Sequence, residues 1–499
     1  MNKKYSIVFA LCLFALLPLT ITFTNKAKSS LTLALEPQER AVPLLVDGTL
    51  PSWLSGSLIR NSAIPVYKDG KQITHEFDGI AMLHKCSFHQ GKVHYQSRYL
   101  NSKEYNDVVV DGRADFMGFG TVSSQQEQPT AQDNDINNAS VNLITYNNSF
   151  VALTESPLPV RFDGKTLQTL GSFEYQDDLP TSRCWESAHP HYDVEKKEIV
   201  NYLIEFGRQC YYVVYRIKEG SNAREVIAKI PVERTSYMHS FAMTDNYVIF
   251  TEFPLLLNPQ DLMDQSVPFI NKFQWLPQLG TRFLIVDRKS GSLVLQKAVD
   301  PIFCFHHANA YETGDDIIVD LVAYPDISSM PTIFPQATSI PHDPKKWKNR
   351  LLRYQVSLKE GTIDSTSLID AAELEMPRFA DRLDGKYYRY LYMTHSDQKS
   401  TGGLVKVDLS TKESVTWNAT NFEACEPIFV ASPTATSEDD GVILTIIGDK
   451  KQNLAFLVVL DGKTFREIAR AKLPYTIPAS FHGQFFDETL FITSITEMN

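Results

Sequence analysis

Apolar positions along the chain fall into short runs, and turn residues punctuate those runs at intervals. Stretches such as "EIVNYLIEF" (198–206) and "DDIIVDLVAY" (315–324) are too short, and too rich in β-branched and aromatic residues, to be ordinary helices. They stop at Asp47-Gly48, Asp69-Gly70, Asp111-Gly112, Asp163-Gly164, Ser290-Gly291, Asp384-Gly385 and Asp461-Gly462, which are turn signals. Four segments share one grammar: "VRFDGKTLQTLGSF", "FLIVDRKSGSLVLQK", "LVKVDLSTKESVTW" and "VVLDGKTFREIARAKL". In each, an apolar strand ends in Asp163, Asp287, Asp408 or Asp461, a tight turn follows, and a second strand begins. Recurrent antiparallel hairpins without long helical stretches predict an all-β molecule. A β-propeller fits that pattern, and two large sandwiches are the structural alternative.

Several segments depart from the repeat. Arg113–Ser140 is polar and loop-like, whereas Phe253–Pro277 carries Leu255, Leu256, Leu257, Phe269, Ile270 and Trp275 between prolines. Such an insertion packs over the core, caps one face, or makes a peripheral membrane contact through the Leu255–Leu257 region. At the N-terminus, Lys3 and Lys4 precede the nearly uncharged run "YSIVFALCLFALLPLTITFT" (Tyr5–Thr24), and the polar "NKAKSS" follows. Residues 1–30 therefore read as an export signal or a membrane anchor. The run is long for a signal core, is about the ~20 residues needed to span a bilayer, and lacks a clean small-residue cleavage site. Cleavage would leave the protein periplasmic or otherwise extracytoplasmic, and retention would tether it. Residues 31–499 then form a single domain with insertions.

Composition narrows the partners. With 48 Lys and Arg against 59 Asp and Glu, the formal charge of -11 argues against a nucleic-acid backbone. The six cysteines (12, 86, 184, 210, 304, 425) include no CxxC pair, which excludes a zinc ribbon or thioredoxin motif. Cys184 and Cys210 are left either to pair in an exported protein or to remain buried thiols.

Histidines carry the candidate chemistry. In "SAHPHYDVEKKEIVNYLIEF", "SYMHSFAMTDNYVIFTEF", "PIFCFHHANAYETGDDIIVDLVAY" and "ASFHGQFFDETLFITSI", a histidine (His189, His239, His306, His482) precedes a polar turn, and an apolar strand is expected after it. Neighbouring side chains on a strand point to opposite faces, so His306 and His307 cannot both reach one small site. On a propeller, equivalent inner positions of different blades converge at the axis, and four imidazoles there would make a metal site without any local HxxxH spacing. One such histidine alone is more often a core or surface residue. Four in matching context point to ligands.

These motifs resemble those of the carotenoid cleavage oxygenases, the family of carotenoid, apocarotenoid and stilbene oxygenases and the retinoid isomerohydrolase. "AHP" (188–190), "MHSFAMTDNYVIF" (238–250), "FHHANAYE" (305–312) and "FHGQF" (481–485) are similar to its four iron-ligand motifs. "GSLIRNSA" (56–63), "HEFDGIAMLHKCSF" (75–88), "ALTESPLPVRFD" (152–163) and "EPIFVASPTATSEDDGVIL" (426–444) are similar to further blocks in the same order. The resemblance runs from about Pro37 to the C-terminus.

What the resemblance implies is a seven-bladed β-propeller with a helical and loop dome over the iron-bearing face. One Fe(2+) per chain sits on the axis, held by His189, His239, His306 and His482, with no catalytic residue beyond the iron centre. His307 and His191 are then bystanders. Glu155, Glu375 and Glu426 are the matching candidates to accept the ligands' other ring N–H groups, fixing their orientation and offsetting the 2+ charge. The implied reaction is dioxygenase cleavage of a C=C bond in a carotenoid or apocarotenoid, with O₂ and an apolar conjugated substrate as partners. A stilbene or other phenylpropanoid alkene is the alternative substrate, and a non-catalytic propeller acting as a binding scaffold is the alternative of another class. Two positions bear on this. Ala81 stands where the family's "FDGxGM" has its second glycine, which is expected to perturb a turn, and Tyr99 is expected to be a core aromatic and not a phenol-gripping residue.

Overall fold

The computed structural model describes residues 31–493, apart from 69–70, 114–117, 122–136, 265, 342–348, 370–372, 397–401, 420–421, 450–453 and 478–479. The N-terminal apolar run and most of the polar 113–140 segment lie outside the described residues.

Among the described residues, seven sheets hold four to six strands and two smaller sheets hold three. Five of the larger sheets are meanders read straight along the chain, at residues 142–172, 184–232, 242–299, 307–369 and 374–418. A sixth, residues 422–472, borrows Val46–Gly48 as its edge strand. The seventh is built from residues 42–99 and is completed by Ser480–Asp487, which pairs antiparallel with Gly56–Ile64. Burial falls across the meanders. Glu198–Glu205 and Asp316–Ala323 are buried almost throughout, in keeping with sequences apolar at most positions, whereas Leu293–Val299 and Glu413–Asn418 are mostly exposed.

The four-fold turn grammar has a single physical basis. Asp163, Asp287, Asp408 and Asp461 each turn a carboxylate oxygen back onto backbone N–H groups of the turn. A hydroxyl of Thr166, Ser290, Ser410 or Thr464 donates to the same oxygen. Four residues beyond each aspartate the chain adopts a positive φ, at Leu167 (60°), Gly291 (71°), Lys412 (61°) and Phe465 (56°). The aspartate therefore supplies the bonds that hold a conformation which three of these four residues would not choose on their own.

Several expectations are corrected. The segment after His482 is not a strand: Glu488–Thr493 is a helix, and the strand carrying His482 pairs with Gly56–Ile64, far earlier in the chain. Leu255–Leu257 is a strand between Thr235–Ser236 and Phe273–Trp275, with Leu255 and Leu257 at 0% exposure, so these side chains belong to the core and are not available to a membrane. Among the described residues the helical elements are short: 3-10 helices of three to five residues, the continuous helical stretch 103–110, and Glu488–Thr493. None of them is long and apolar enough to cross a membrane. Cys184 and Cys210 are not joined in a disulfide, and their thiols donate to the carbonyls of Pro180 and Gly207. Ala81 lies inside the strand Ile80–His89 opposite Ala63, so no turn is perturbed there. Tyr99 is a core residue whose hydroxyl donates to the Leu35 carbonyl.

Candidate metal centre

His239 and His306 each precede the first strand of their sheet, Ala242–Met243 and His307–Thr313; His189 lies between Cys184–Glu186 and His191–Asp193, and His482 lies in the closing strand of the seventh. The fold brings one nitrogen from each of the four to within 4.8 Å of the others. Three of the rings are buried and His189 is partly so.

Carboxylates set the direction of three rings. Nδ1 of His239 lies 2.5 Å from Glu155, Nδ1 of His306 lies 2.6 Å from Glu375, and Nδ1 of His482 lies 2.9 Å from Glu426. An ionised carboxylate only accepts, so each Nδ1 carries the proton and each Nε2 presents a lone pair to the centre. All three predicted glutamates are thus in place, and each reaches a histidine from a different sheet. His189 has no carboxylate partner among the described residues. It is placed by its Ala-His-Pro backbone, whose N–H donates to the Ser187 hydroxyl.

The sequence reading did not find the groups behind the carboxylates. The Tyr237 hydroxyl donates to Glu155, and those of Tyr324 and the Met376 N–H serve Glu375. Glu426 accepts from Gly483 N–H and Arg378 and lies 3.9 Å from Arg60, a fully buried guanidinium. Burial works to raise the Glu426 carboxyl, but Arg378, His482 and Arg60 outweigh it and hold it at about 2. At Glu375 burial is likewise outweighed by His306, and its carboxyl is lowered. The available signal was Arg60 itself, a charge in the middle of the nine-residue strand Gly56–Ile64, which is buried throughout.

The donor set fits a metal ion. Two nitrogens ~2.1 Å from one ion and roughly perpendicular stand ~3 Å apart. Nε2 of His189 is 2.9 Å from that of His239, and Nε2 of His306 is 3.3 Å from that of His482. In the second pair both Nδ1 protons are committed to carboxylates, so two lone pairs face each other and repel unless a cation lies between them. A proton is a poor cation here. Burial, followed by the other imidazoles, drives His189 well below its usual range, and burial holds His482 at about 4 despite Glu426.

Four other histidines among the described residues face elsewhere. His307 is buried, with Nδ1 at 2.8 Å from the Ser240 hydroxyl and Nε2 at 2.6 Å from that of Thr251. His191 sits between Asp384 at 2.7 Å and the Phe241 carbonyl at 3.1 Å. His75 bonds to the Thr332 carbonyl and the Phe77 N–H, and His84 to Tyr95.

Beside the four imidazoles lies a cavity walled by Phe77, Phe119, Phe305, Met376 and Phe481. Its polar side chains are already engaged: Thr154 donates to Asn138, and Tyr324 donates to Glu375.

The profile of the retinal pigment epithelial membrane protein family matches residues 32–487 of the chain. Beta,beta-carotene 15,15'-dioxygenase of Gallus gallus is 29% identical, over 89% of this chain and 95% of that one. Carotenoid isomerooxygenase of Galleria mellonella is 30% identical, over 88% and 92%. Among solved structures, cobalt-substituted Synechocystis apocarotenoid oxygenase superimposes with a TM-score of 0.79 at 25% identity, covering 91% of this chain and 97% of that one.

Proposed function

The chain belongs to the retinal pigment epithelial membrane protein family, the carotenoid cleavage oxygenases, and from that membership and its four-histidine site we propose that it is an iron(II) dioxygenase cleaving a C=C bond of a carotenoid or apocarotenoid. The observation that carries this is the set of four converging imidazole nitrogens, three of them aimed by carboxylates. His189, His239, His306 and His482 hold the ion, and Glu155, Glu375 and Glu426 orient three of them and offset its charge. Iron(II) bound there supplies a place for dioxygen to be activated next to the substrate. In the overall reaction one C=C bond breaks, two C=O bonds form, and both oxygen atoms of O₂ enter the two carbonyl products, so no external reductant is consumed.

The chain's own residues provide the setting. Phe77, Phe119, Phe305, Met376 and Phe481 offer an apolar, water-poor wall suited to a conjugated hydrocarbon. The engaged hydroxyls of Thr154 and Tyr324 favour such a polyene over a hydroxylated stilbene, which needs a polar anchor for its phenol. We read the seven larger sheets as the blades of a β-propeller around the metal axis and residues 31–499 as one catalytic unit. Residues 1–30 serve as an export signal or anchor, which makes the protein exported or membrane-associated.

The test is the metal content of the purified chain, with anaerobic Fe(II) reconstitution and oxygen uptake on apocarotenoids and hydroxystilbenes. About one iron per chain, with O₂ consumed alongside polyenes, is expected. Folded protein that takes up no iron overturns the proposal, and uptake driven only by hydroxystilbenes reassigns the substrate.

A further inference from the structure

One buried acid close to the cavity takes no part in holding the histidines. Asp78 is 2% exposed and lies at the end of the 3-10 turn Glu76–Asp78. One carboxylate oxygen accepts from the Phe119 N–H at 2.6 Å, and the other accepts from the Gly120 N–H at 2.8 Å and the Thr121 hydroxyl at 2.7 Å. A buried carboxylate is costly unless donors meet its oxygens. Here those donors all come from Gly118–Thr121, so its influence falls on where that short segment lies.

The segment is fitted to this grip. A Cβ on Gly118 would lie 2.3 Å from the Asp78 carboxyl carbon, and one on Gly120 would lie 2.5 Å from the His75 ring. Between them Phe119 is 3% exposed and forms part of the cavity wall, its ring 5.0 Å from Phe77 and 5.6 Å from Tyr237. The platform under Asp78 is itself fixed. Asn138 donates to the carbonyls of Phe77 and Gly79, and Gly79 packs so closely on Ala63 that a Cβ would meet its backbone at 2.6 Å. A rigid turn therefore holds, through one side chain, an aromatic ring at the substrate's side of the site.

We propose that Asp78 is a positioning residue for the substrate: its carboxylate holds Gly118–Thr121 so that the Phe119 ring sets how a conjugated chain lies in the cavity. The identity of the ligand rests on the oxygenase reading; the geometry of the grip does not.

The experiment uses the full chain in two states. Binding of a fluorescent conjugated polyene fatty acid is measured on metal-free protein, and the ratio of cleavage products from an unsymmetrical apocarotenoid is measured on iron-loaded protein. Asp78→Asn, which keeps the shape but loses one acceptor, is expected to retain stoichiometric iron, bind the polyene ~10-fold more weakly and redistribute the products. Thr121→Val, which removes one donor to Asp78 together with the acceptor of the His75 N–H, is expected to move both readings the same way by ~3-fold. Because Asp78 acts through Phe119, Asp78→Asn combined with Phe119→Ala is expected to shift them no further than Phe119→Ala alone. Unchanged binding and product ratios in both Asp78→Asn and Thr121→Val, or additive effects in the double variant, overturn the assignment while leaving the oxygenase standing. Wild-type protein that neither binds nor cleaves a polyene overturns the oxygenase reading and this assignment with it.

Discussion

Two layers of histidines stand next to each other in this protein and do different work. In one, His189, His239, His306 and His482 face one another; in the other, His191 and His307 face hydroxyls, a carbonyl and a carboxylate. His306 and His307 are consecutive in sequence and both buried. What separates them is how many ring nitrogens are spoken for. In the first layer a carboxylate takes Nδ1 of His239, His306 and His482 and leaves Nε2 facing other imidazoles, while His189 meets them without a carboxylate partner among the described residues. In the second both nitrogens are consumed, so no lone pair remains to offer. A histidine able to hold a metal is thus marked by an unused nitrogen in company, not by burial or by its neighbours in sequence.

The sharpest way to break this comparison is to delete one histidine from each layer. His306→Ala is expected to lose bound iron and activity altogether, whereas His307→Ala keeps iron near one per chain. Metal analysis of both folded variants decides it, and equal loss in the two would erase the distinction.

A smaller effect sharpens the first layer from within. Glu375→Gln and Glu426→Gln keep an acceptor for the ring N–H but remove the charge, and metal affinity is expected to fall ~10–100-fold. Competition with a chelator of known affinity measures this. An unchanged affinity would reduce these glutamates to packing residues.

The smallest effect separates the two members of the second layer by pH. Burial, followed by His191 and His306, lowers His307 from 6.5 to about 3. The unfolded chain then binds a proton that the native state refuses, so its stability is intact above about 6.5 and is lost as pH falls toward 3. At His191 burial is outweighed by Asp384, which raises its pKa above 6.5; that contribution is present below 6.5 and is lost as pH rises through the folded value. Each group changes stability by at most ~1.4 kcal/mol per pH unit. Relative to wild type, His307→Gln is expected to flatten the acid limb of the unfolding free energy and His191→Gln the alkaline limb. Denaturant titrations across the pH range test this, and parallel profiles for all three proteins would contradict it.

The four aspartate turns were legible because hairpin chemistry is local: carboxylate, hydroxyl and the positive-φ residue lie within five positions of one another. The four converging histidines were legible because they share a local context. Glu155, Glu375 and Glu426 were found through family resemblance, since each pairs with a histidine at least 56 positions away. Tyr237, Tyr324, Arg378 and Asp78 escaped because their roles exist only after distant strands meet. The fate of Ser480–Asp487 escaped for a similar reason. Its apolar pattern reads as a hairpin arm, but its partner is Gly56–Ile64, some four hundred residues earlier, and pairing at that range leaves no local trace.

That closing strand also bears on how the protein is made. A chain emerging from the ribosome presents His189, His239 and His306 well before His482, which follows His306 by 176 residues. Until the last of these appears, the seventh sheet lacks the strand that pairs with Gly56–Ile64 and the four-histidine cluster lacks its fourth imidazole. Completion of the four-imidazole site and completion of the fold therefore fall on the same event in biosynthesis. A nascent chain that stalls or is cut short before this strand is left without either, with unpaired strand edge exposed to the cell's proteases and chaperones.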